Sequence, residues 1–408
     1  MSDGIRFNVG FMRSAGDGET EAKVKVTEIY IHIPFCMRKC GYCDFLSAPA
    51  GREVQDQYVG ALEREMRGRS EAYAGFEVTT VFIGGGTPSL LAPGHIEKIM
   101  DILRQCYRVL PGAEISMEVN PGTADRDALR RYYKAGINRL SLGLQSSWDE
   151  ELKELGRIHT WRQFLDAYEG AVAAGFSRIN VDLMSGLPGQ TPASYETTLR
   201  RVAELVPGPE HISAYSLILE EGTDFARRYE DGELKLPDEE TDRALYGLTE
   251  RVLREYGYRR YEISNYAKAG GECRHNVGYW TRENYLGFGI GAASLVDNVR
   301  FRNGRELASY LEAPLRQREP SSLLSMAEQM EEFMFLGLRL TEGVCAGTFY
   351  RFFHRRLEEV YGEVIDRYIA LGLLDYQDRT GEKYLYLTER GLDVANMVMA
   401  DFLEPPIT

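Results

Sequence analysis

From Glu28 to Leu217 the chain repeats one pattern six times: a short β-branched run, a turn signal, then a longer amphipathic stretch. The runs are Glu28–Ile33, Thr80–Ile83, Glu114–Val119, Arg139–Leu144, Arg178–Met184 and His211–Leu217. Strands that alternate with helix-length segments pair in parallel, because each helix carries the chain back to the end of the sheet where the previous strand began. Ala135-Gly136 and Ala174-Gly175 suit the C-termini of helices expected over Arg126–Ala135 and Trp161–Ala174. Six units are fewer than the eight of a closed barrel. An incomplete (β/α)6 barrel is therefore expected, with an open doubly wound sheet as an alternative that periodicity does not separate from it.

The remaining segments divide around this unit. Residues 1–26 read as a loose polar leader and 27–225 as the partial barrel. Residues 226–310 read as an extension that begins helical and charged and turns Gly-rich at Gly287, Gly289 and Gly291. Residues 311–408 read as a mostly helical C-terminal domain. Its strand pair Leu373–Gln377 and Lys383–Leu387, followed by a helix from Thr388, gives it a winged-helix-like character.

Winged helices often bind DNA, but this chain carries 48 basic against 62 acidic side chains, a net charge of -14, and has no Lys/Arg stripe. A broad grip on nucleic acid or an anionic membrane is disfavoured, so no nucleic-acid partner and at most transient membrane association are expected. No apolar run is long enough to span a bilayer and the first 25 residues lack signal-peptide character, so the expected location is the cytoplasm.

Six cysteines are too sparse for a disulfide scaffold, yet Cys36, Cys40 and Cys43 crowd into eight positions just past the first strand. Ligands of parallel α/β folds gather at that end of the strands. Three thiolates suit an iron–sulfur cluster with one iron left open. A structural zinc with His32 as fourth ligand and a trio of buried thiols are the competing readings. Cys106, Cys273 and Cys345 stand alone and read as small buried side chains.

The cysteine spacing after a first barrel strand resembles the radical S-adenosylmethionine (SAM) superfamily. The runs Tyr30-Ile-His-Ile-Pro-Phe-Cys36 and Lys39-Cys40-Gly-Tyr42-Cys43-Asp44-Phe45 are similar to the oxygen-independent coproporphyrinogen III oxidase-like group, and within it to a heme-chaperone branch. The resemblance implies a 4Fe-4S cluster on Cys36, Cys40 and Cys43 whose open iron is chelated by SAM.

Gly84-Gly85-Gly86-Thr87-Pro88 matches the group's GGGTP segment, which implies that Gly85, Gly86 and Thr87 cradle the SAM amino group. Glu118, Gln145, Arg157 and Asp182 match polar SAM contacts, and Tyr30 and Tyr42 match contacts near the cluster and the adenine. Ile290 matches an outer apolar contact to adenine. Singly, Glu118 and Asp182 also read as helix caps and Arg157 as a surface ion pair. Polar residues at the ends of successive strands on one face are harder to explain by packing.

Cys273-Arg274-His275-Asn276-Val277-Gly278-Tyr279-Trp280 matches an HNxxYW motif of the chaperone branch, which implies His275 as a heme ligand, with Cys273 as a weaker candidate. The plainer reading is a buried histidine hydrogen-bonded within the fold. The oxidases carry a fourth cysteine where this chain has Phe45, and a longer N-terminal arm than the 29 residues that precede Tyr30 here.

The resemblance therefore implies a chaperone that binds cluster, SAM and heme and passes heme to acceptor apo-hemoproteins, among them respiratory ones. Two alternatives stay open. One is oxidative decarboxylation of coproporphyrinogen III, with Arg139, Arg157 and Arg274 as candidate propionate partners. The other is an interaction protein that binds no SAM.

Overall fold

The computed structural model describes residues 25–316 and 318–403. The leader expected over 1–26 lies outside them except for Lys25 and Val26, which already belong to the first strand. Strands β1 (Lys25–Ile33), β2 (Phe76–Gly85), β3 (Arg108–Val119), β4 (Arg139–Gln145), β5 (Arg178–Ser185) and β6 (His211–Ser216) pair in parallel in chain order. Between them run helices α1 (Arg52–Arg69), α2 (Pro93–Cys106), α3 (Arg126–Lys134), α4 (Asp149–Glu154), α5 (Trp161–Ala174) and α6 (Pro192–Ala203).

Local chemistry sets these helix ends. Asp125 accepts from the Ala128 N–H at the start of α3, and Thr160 and Gln163 form a reciprocal capping box at α5. Gly175 ends α5 in the left-handed conformation that costs a residue with a Cβ most.

Successive side chains of a strand point to opposite faces, and here the two faces differ in chemistry. Ile29, Ile31, Ile33, Leu140, Leu142, Leu144, Val181 and Leu183 are buried in the main core. The alternating set Glu28, Tyr30, His32, Glu114, Glu118, Arg139, Asp182 and His211 is polar, and it lines the inner face.

The sheet does not close into a barrel. After helices α7 (Asp224–Glu230) and α8 (Glu239–Glu255), strands β7 (Arg259–Arg260) and β8 (Asn265–Ala267) extend it antiparallel beyond β6. After α9 (Arg274–Trp280), strand β9 (Tyr285–Phe288) joins parallel to β1, and β10 (Ala293–Val296), β11 (Val299–Arg302) and β12 (Ser322–Leu323) continue outward, with α10 (Leu307–Glu312) between the last two. The twelve strands run β12-β11-β10-β9-β1-β2-β3-β4-β5-β6-β8-β7, so β12 and β7 are edges. An incomplete barrel is thus the architecture, and the doubly wound order is not.

The sheet also runs on to Leu323, past the boundary expected at 311. A second apolar core, containing Met334, Phe349, Leu385, Val398 and Phe402, gathers α11 (Met326–Gly337), α12 (Ala346–Phe353), α13 (Leu357–Ala370), α14 (Glu389–Leu392) and α15 (Ala395–Ala400). A three-stranded sheet of β13 (Val344–Cys345), β14 (Leu374–Arg379) and β15 (Glu382–Leu387) completes it. Among the described residues no helix is long and apolar enough to cross a membrane.

Candidate functional site

The cysteine loop leaves β1 at Ile33, and its ends are tied together. Cys36 N–H donates to the Ala48 carbonyl at 3.2 Å and Ala48 N–H to the Pro34 carbonyl at 2.9 Å. Within the loop Cys43 N–H donates to the Cys40 carbonyl at 3.2 Å. All three thiols are free and half-buried. Burial pushes the Cys43 thiol up, and the nearby Cys40 and Cys36 add to that, while Lys39 opposes it. Three thiols gathered in one loop need a bound cation to exist together as thiolates, so the donor set suits a cluster.

His32 does not complete a zinc site. Its Nδ1 meets the Tyr30 hydroxyl at 3.0 Å and its Nε2 the Leu46 carbonyl at 2.9 Å, which occupies both ring nitrogens. Among the described residues no three His, Cys, Asp or Glu side chains are grouped to hold a single metal ion.

Gly84, Gly85 and Gly86 end β2 against this loop. A Cβ on Gly86 would stand 2.6 Å from the Phe35 carbonyl oxygen, and one on Gly84 2.8 Å from the Phe82 ring and 3.1 Å from the Glu118 carboxylate. Gly85 has φ +115°, which L side chains rarely adopt. The turn is stitched to the cysteine loop by Gly86 N–H on the Ile33 carbonyl at 2.8 Å and Thr87 N–H on the Phe35 carbonyl at 2.7 Å.

Side chains from the segments that follow β1, β2, β3 and α4 then link two of the thiols in one chain. Cys36 Sγ meets Thr87 Oγ1 at 3.5 Å, and Thr87 Oγ1 accepts from Asn120 Nδ2 at 2.8 Å. Asn120 Oδ1 accepts from Arg157 Nη2 at 2.7 Å, and Arg157 Nη1 reaches Cys40 Sγ at 4.0 Å. Arg157 also donates to the Gly143 carbonyl at 2.6 Å, so it is an inward-held cation and not a surface ion pair.

Glu118 and Asp182 face the same interior. Burial pushes the Glu118 carboxyl up to about 8, helped by the charge of Asp182 and opposed by the Gly85 N–H, 3.0 Å from Oε2. Burial raises Asp182 as well, against hydrogen bonds from Ser141 Oγ at 2.9 Å and Asn180 Nδ2 at 2.7 Å. Neither carboxylate caps a helix.

Gln145 holds φ 72° without being glycine and accepts from the Tyr215 hydroxyl at 3.1 Å, a strained conformation of the kind that clusters at ligand sites. Tyr42 packs with Tyr215, Leu217 and Phe225 in a small apolar wall beside the loop. Tyr30 stands one inward position below His32 and stacks on Phe82 at 6.4 Å. Ile290 lies in the main apolar core, its N–H on the Tyr58 hydroxyl at 3.2 Å. Asn120 and Tyr215 were not singled out in the sequence. Their signal is that each is a polar residue at the end of its strand.

His275 lies elsewhere. Helix α9 crosses the opposite end, where the strands begin, and His275 is 1% exposed. Its Nδ1 meets Thr80 Oγ1 at 2.7 Å, its Nε2 the Tyr279 hydroxyl at 3.1 Å, and its ring stacks on Phe82 at 5.3 Å. Burial pushes its pKa down to about 3. Both nitrogens are engaged and no edge of the imidazole is exposed, the geometry of the plainer reading, a buried histidine hydrogen-bonded within the fold.

Cys273 is equally enclosed, its Sγ 3.5 Å from Glu114 Oε1. The second half of the motif reaches the C-terminal domain. Arg339 lies 4.3 Å over the Trp280 ring, and Arg282 pairs with Glu332 of α11 at 3.0 Å.

A partial barrel with a three-thiol loop, a Gly-rich turn and inward polar residues at its mouth defines the radical SAM class. The sequence model of the radical SAM superfamily matches residues 30–202, and that of the HemN C-terminal domain matches residues 324–394. The heme chaperone HemW of Bacillus subtilis is 36% identical over 380 residues, covering 92% of this chain and 98% of that protein. HemW of Escherichia coli is 36% identical over 389 residues, covering 93% and 99%. The chain belongs to the HemW family. Among solved structures, the coproporphyrinogen III oxidase HemN of Escherichia coli, described as a radical SAM enzyme, superimposes with a TM-score of 0.80 at 25% identity, covering 93% of this chain and 90% of that one.

Proposed function

We propose that this protein is a heme chaperone that binds a 4Fe-4S cluster, SAM and heme and passes the heme to acceptor hemoproteins. The observation that carries this reading is similarity to heme chaperones along nearly the whole chain, through both the barrel and the C-terminal domain. Cys36, Cys40 and Cys43 are the cluster ligands in this reading. Gly85, Gly86 and Thr87 receive the SAM amino group, while Glu118, Gln145, Arg157 and Asp182 contact the rest of the cofactor, with Tyr30 and Tyr42 beside it. When bound, the cluster supplies single electrons to the sulfonium of SAM.

The chain's own residues have separable tasks. Arg157 holds a fixed positive charge against Cys40 and, through Asn120, sets the direction of the Thr87 hydroxyl. Glu118, with its pKa pushed up to about 8, holds a proton on its carboxyl at neutral pH and releases it when a cation arrives beside it. Tyr42, Tyr215, Leu217 and Phe225 keep water from that flank of the loop. Respiratory acceptors, a cytoplasmic location and brief membrane contact belong to the same proposal.

The likeness to HemN keeps one competing reading, decarboxylation of coproporphyrinogen III. Against it stands Phe45, 57% exposed, at the position where the oxidases carry a fourth cysteine. Anaerobic heme titration of the cluster-loaded protein, with the same samples assayed on coproporphyrinogen III, separates the two. Stoichiometric Soret change without carbon dioxide release is expected. Carbon dioxide release without stable heme binding overturns the chaperone reading.

A further inference from the structure

His275 and Tyr279 lie at the base, yet a run of rings connects them to the mouth. Tyr279 meets the His275 ring edge-on at 4.9 Å, and His275 stacks on Phe82 at 5.3 Å with the planes 22° apart. Phe82 in turn stacks on Tyr30 at 6.4 Å, 25° from parallel. Tyr30 and Phe82 are register partners on β1 and β2, so both rings point to the same inner face. From Tyr30 the run continues through hydrogen bonds. The Leu46 carbonyl only accepts, so His32 Nε2 carries the ring proton and Nδ1 accepts from the Tyr30 hydroxyl. Leu46 belongs to the loop that carries the three cysteines.

Two members of this run back the Gly-rich turn directly. A Cβ on Gly84 would meet Phe82 Cε1 at 2.8 Å, and one on Gly85 would meet His32 Cε1 at 2.5 Å. With no side chain between them, the turn rests on these two rings, and a shift of either ring is passed to the turn.

The foot of the run is fixed from three sides. Thr80 and Tyr279 hold the two imidazole nitrogens, which sets the plane of the ring as no aliphatic side chain of that size would be set. The end of α9 is gripped by the C-terminal domain, through Arg339 over Trp280 and Glu332 on Arg282.

We propose that His275 is a positioning residue for SAM: stacked on Phe82 from the base, it sets the height of the ring against which the Gly84-Gly85 turn is seated. The inference rests on the reading in which Gly85, Gly86 and Thr87 receive the SAM amino group. His275 acts through Phe82, at a distance from the cofactor, so its effect disappears once the Phe82 ring is gone.

The test is a double-mutant cycle on the full-length, cluster-loaded protein, with SAM affinity read by anaerobic titration calorimetry and stability by thermal unfolding. His275→Leu should bind SAM about tenfold more weakly than wild type. Phe82→Leu should weaken it at least as much, and His275→Leu added to Phe82→Leu should weaken it no further. The control is Phe164→Leu on α5, which removes an equally buried ring that also stacks at 22°, on Trp161. It should lose stability and keep wild-type affinity. Should His275→Leu fail to fold, Tyr279→Phe takes its place in the cycle. It frees one imidazole nitrogen, keeps every ring, and should weaken SAM about threefold.

Wild-type affinity in the base variant overturns the proposal. So does a loss that multiplies with that of Phe82→Leu, since the histidine would then act by another route, and so does equal weakening in Phe164→Leu. A wild-type protein that does not bind SAM overturns the reading of the glycine turn itself, and the role of His275 with it.

Discussion

The two ends of the barrel are built on the same six strands and differ in what their polar residues do. At the mouth, glycines keep side chains out, Gln145 is held in a left-handed conformation, and Glu118 and Asp182 face one interior, with no cation bonded to either among the described residues. At the base, α9 fills the interior. His275 uses both nitrogens, and Arg139 reaches the Gly271 carbonyl at 3.0 Å and Glu114 at 3.7 Å. A Cβ on Gly278 would stand 2.1 Å from Glu28 Oε1. Inward polarity therefore takes two forms in one sheet: hydrogen-bonded carboxyls around a glycine-kept space at the C-terminal ends of the strands, and at the N-terminal ends side chains packed under a helix, where Glu28 Oε2, Glu114 Oε2 and Arg139 Nη2 are left without a hydrogen bond.

That contrast is broken most strongly by removing a thiol. Cys36→Ala should abolish bound iron after reconstitution while changing thermal stability by less than about 1 kcal/mol, because the loop is half-buried and outside the core. Iron analysis and calorimetry on one preparation check both, and a variant that unfolds would show the mouth to be structural.

At the base the expected effect is the reverse. Gly278→Ala drives a methyl into the Glu28 carboxylate and should cost about 3 kcal/mol in denaturant unfolding. The folded fraction should still take up its full iron, and iron lost in step with nothing but the substitution would erase the distinction between the ends.

A smaller change sharpens it. His275→Gln keeps a hydrogen-bonding group for Thr80 or Tyr279 and should cost about 1–2 kcal/mol. The Soret band of bound heme should be the same as in wild type. Its loss in this variant would identify the imidazole as a heme ligand.

The gentlest probe is pH. Glu118 carries a proton in the folded, ligand-free protein up to about pH 8, whereas an unfolded chain releases it near the ordinary carboxylate value of 4.5. The folded state then binds more protons between those values, so this group's contribution to stability falls as pH rises through the window. Binding of SAM, which is cationic at its sulfonium and amino group, favours the ionised carboxylate. Affinity should therefore rise with pH up to about 8, by at most about tenfold per unit. Calorimetric titrations from pH 6 to 8.5 should show that slope in wild type and a flat profile in Glu118→Gln, and a sloped profile in the variant would assign the proton elsewhere.

How much of this was legible followed from how local each signal is. The six parallel strands were readable because apolar and polar positions alternate, as in Ile29, Ile31 and Ile33 against Glu28, Tyr30 and His32. The start of β3 was not, because Pro111 and Gly112 interrupt it. The register with β2 slips there, with Val78 facing Val109 and Thr80 facing Glu114.

Strand β9 was also hidden. Its Gly287 reads as loop, and its partner β1 lies more than 250 residues earlier in the chain. At the site, the cysteines and the Gly-rich turn announce themselves by spacing. Asn120 and Tyr215 gain meaning only from Arg157 and Gln145, which other segments of the chain bring to them. The histidine among aromatics at 275–280 has the same local pattern whether it holds an iron or seals a fold. Only its buried place at the base, which the local pattern does not show, separates the two.

The strand that carries the cysteine loop also has two partners made at very different times. β1 pairs with β2 on one side and with β9 on the other, and the gap from Ile33 to Tyr285 is 252 residues. At about 5–20 residues per second, a ribosome takes roughly 13–50 s to make that stretch. Through that interval β1 is the outer strand of a growing sheet, its free edge unpaired, with Cys36, Cys40 and Cys43 standing on a border that the finished molecule no longer has.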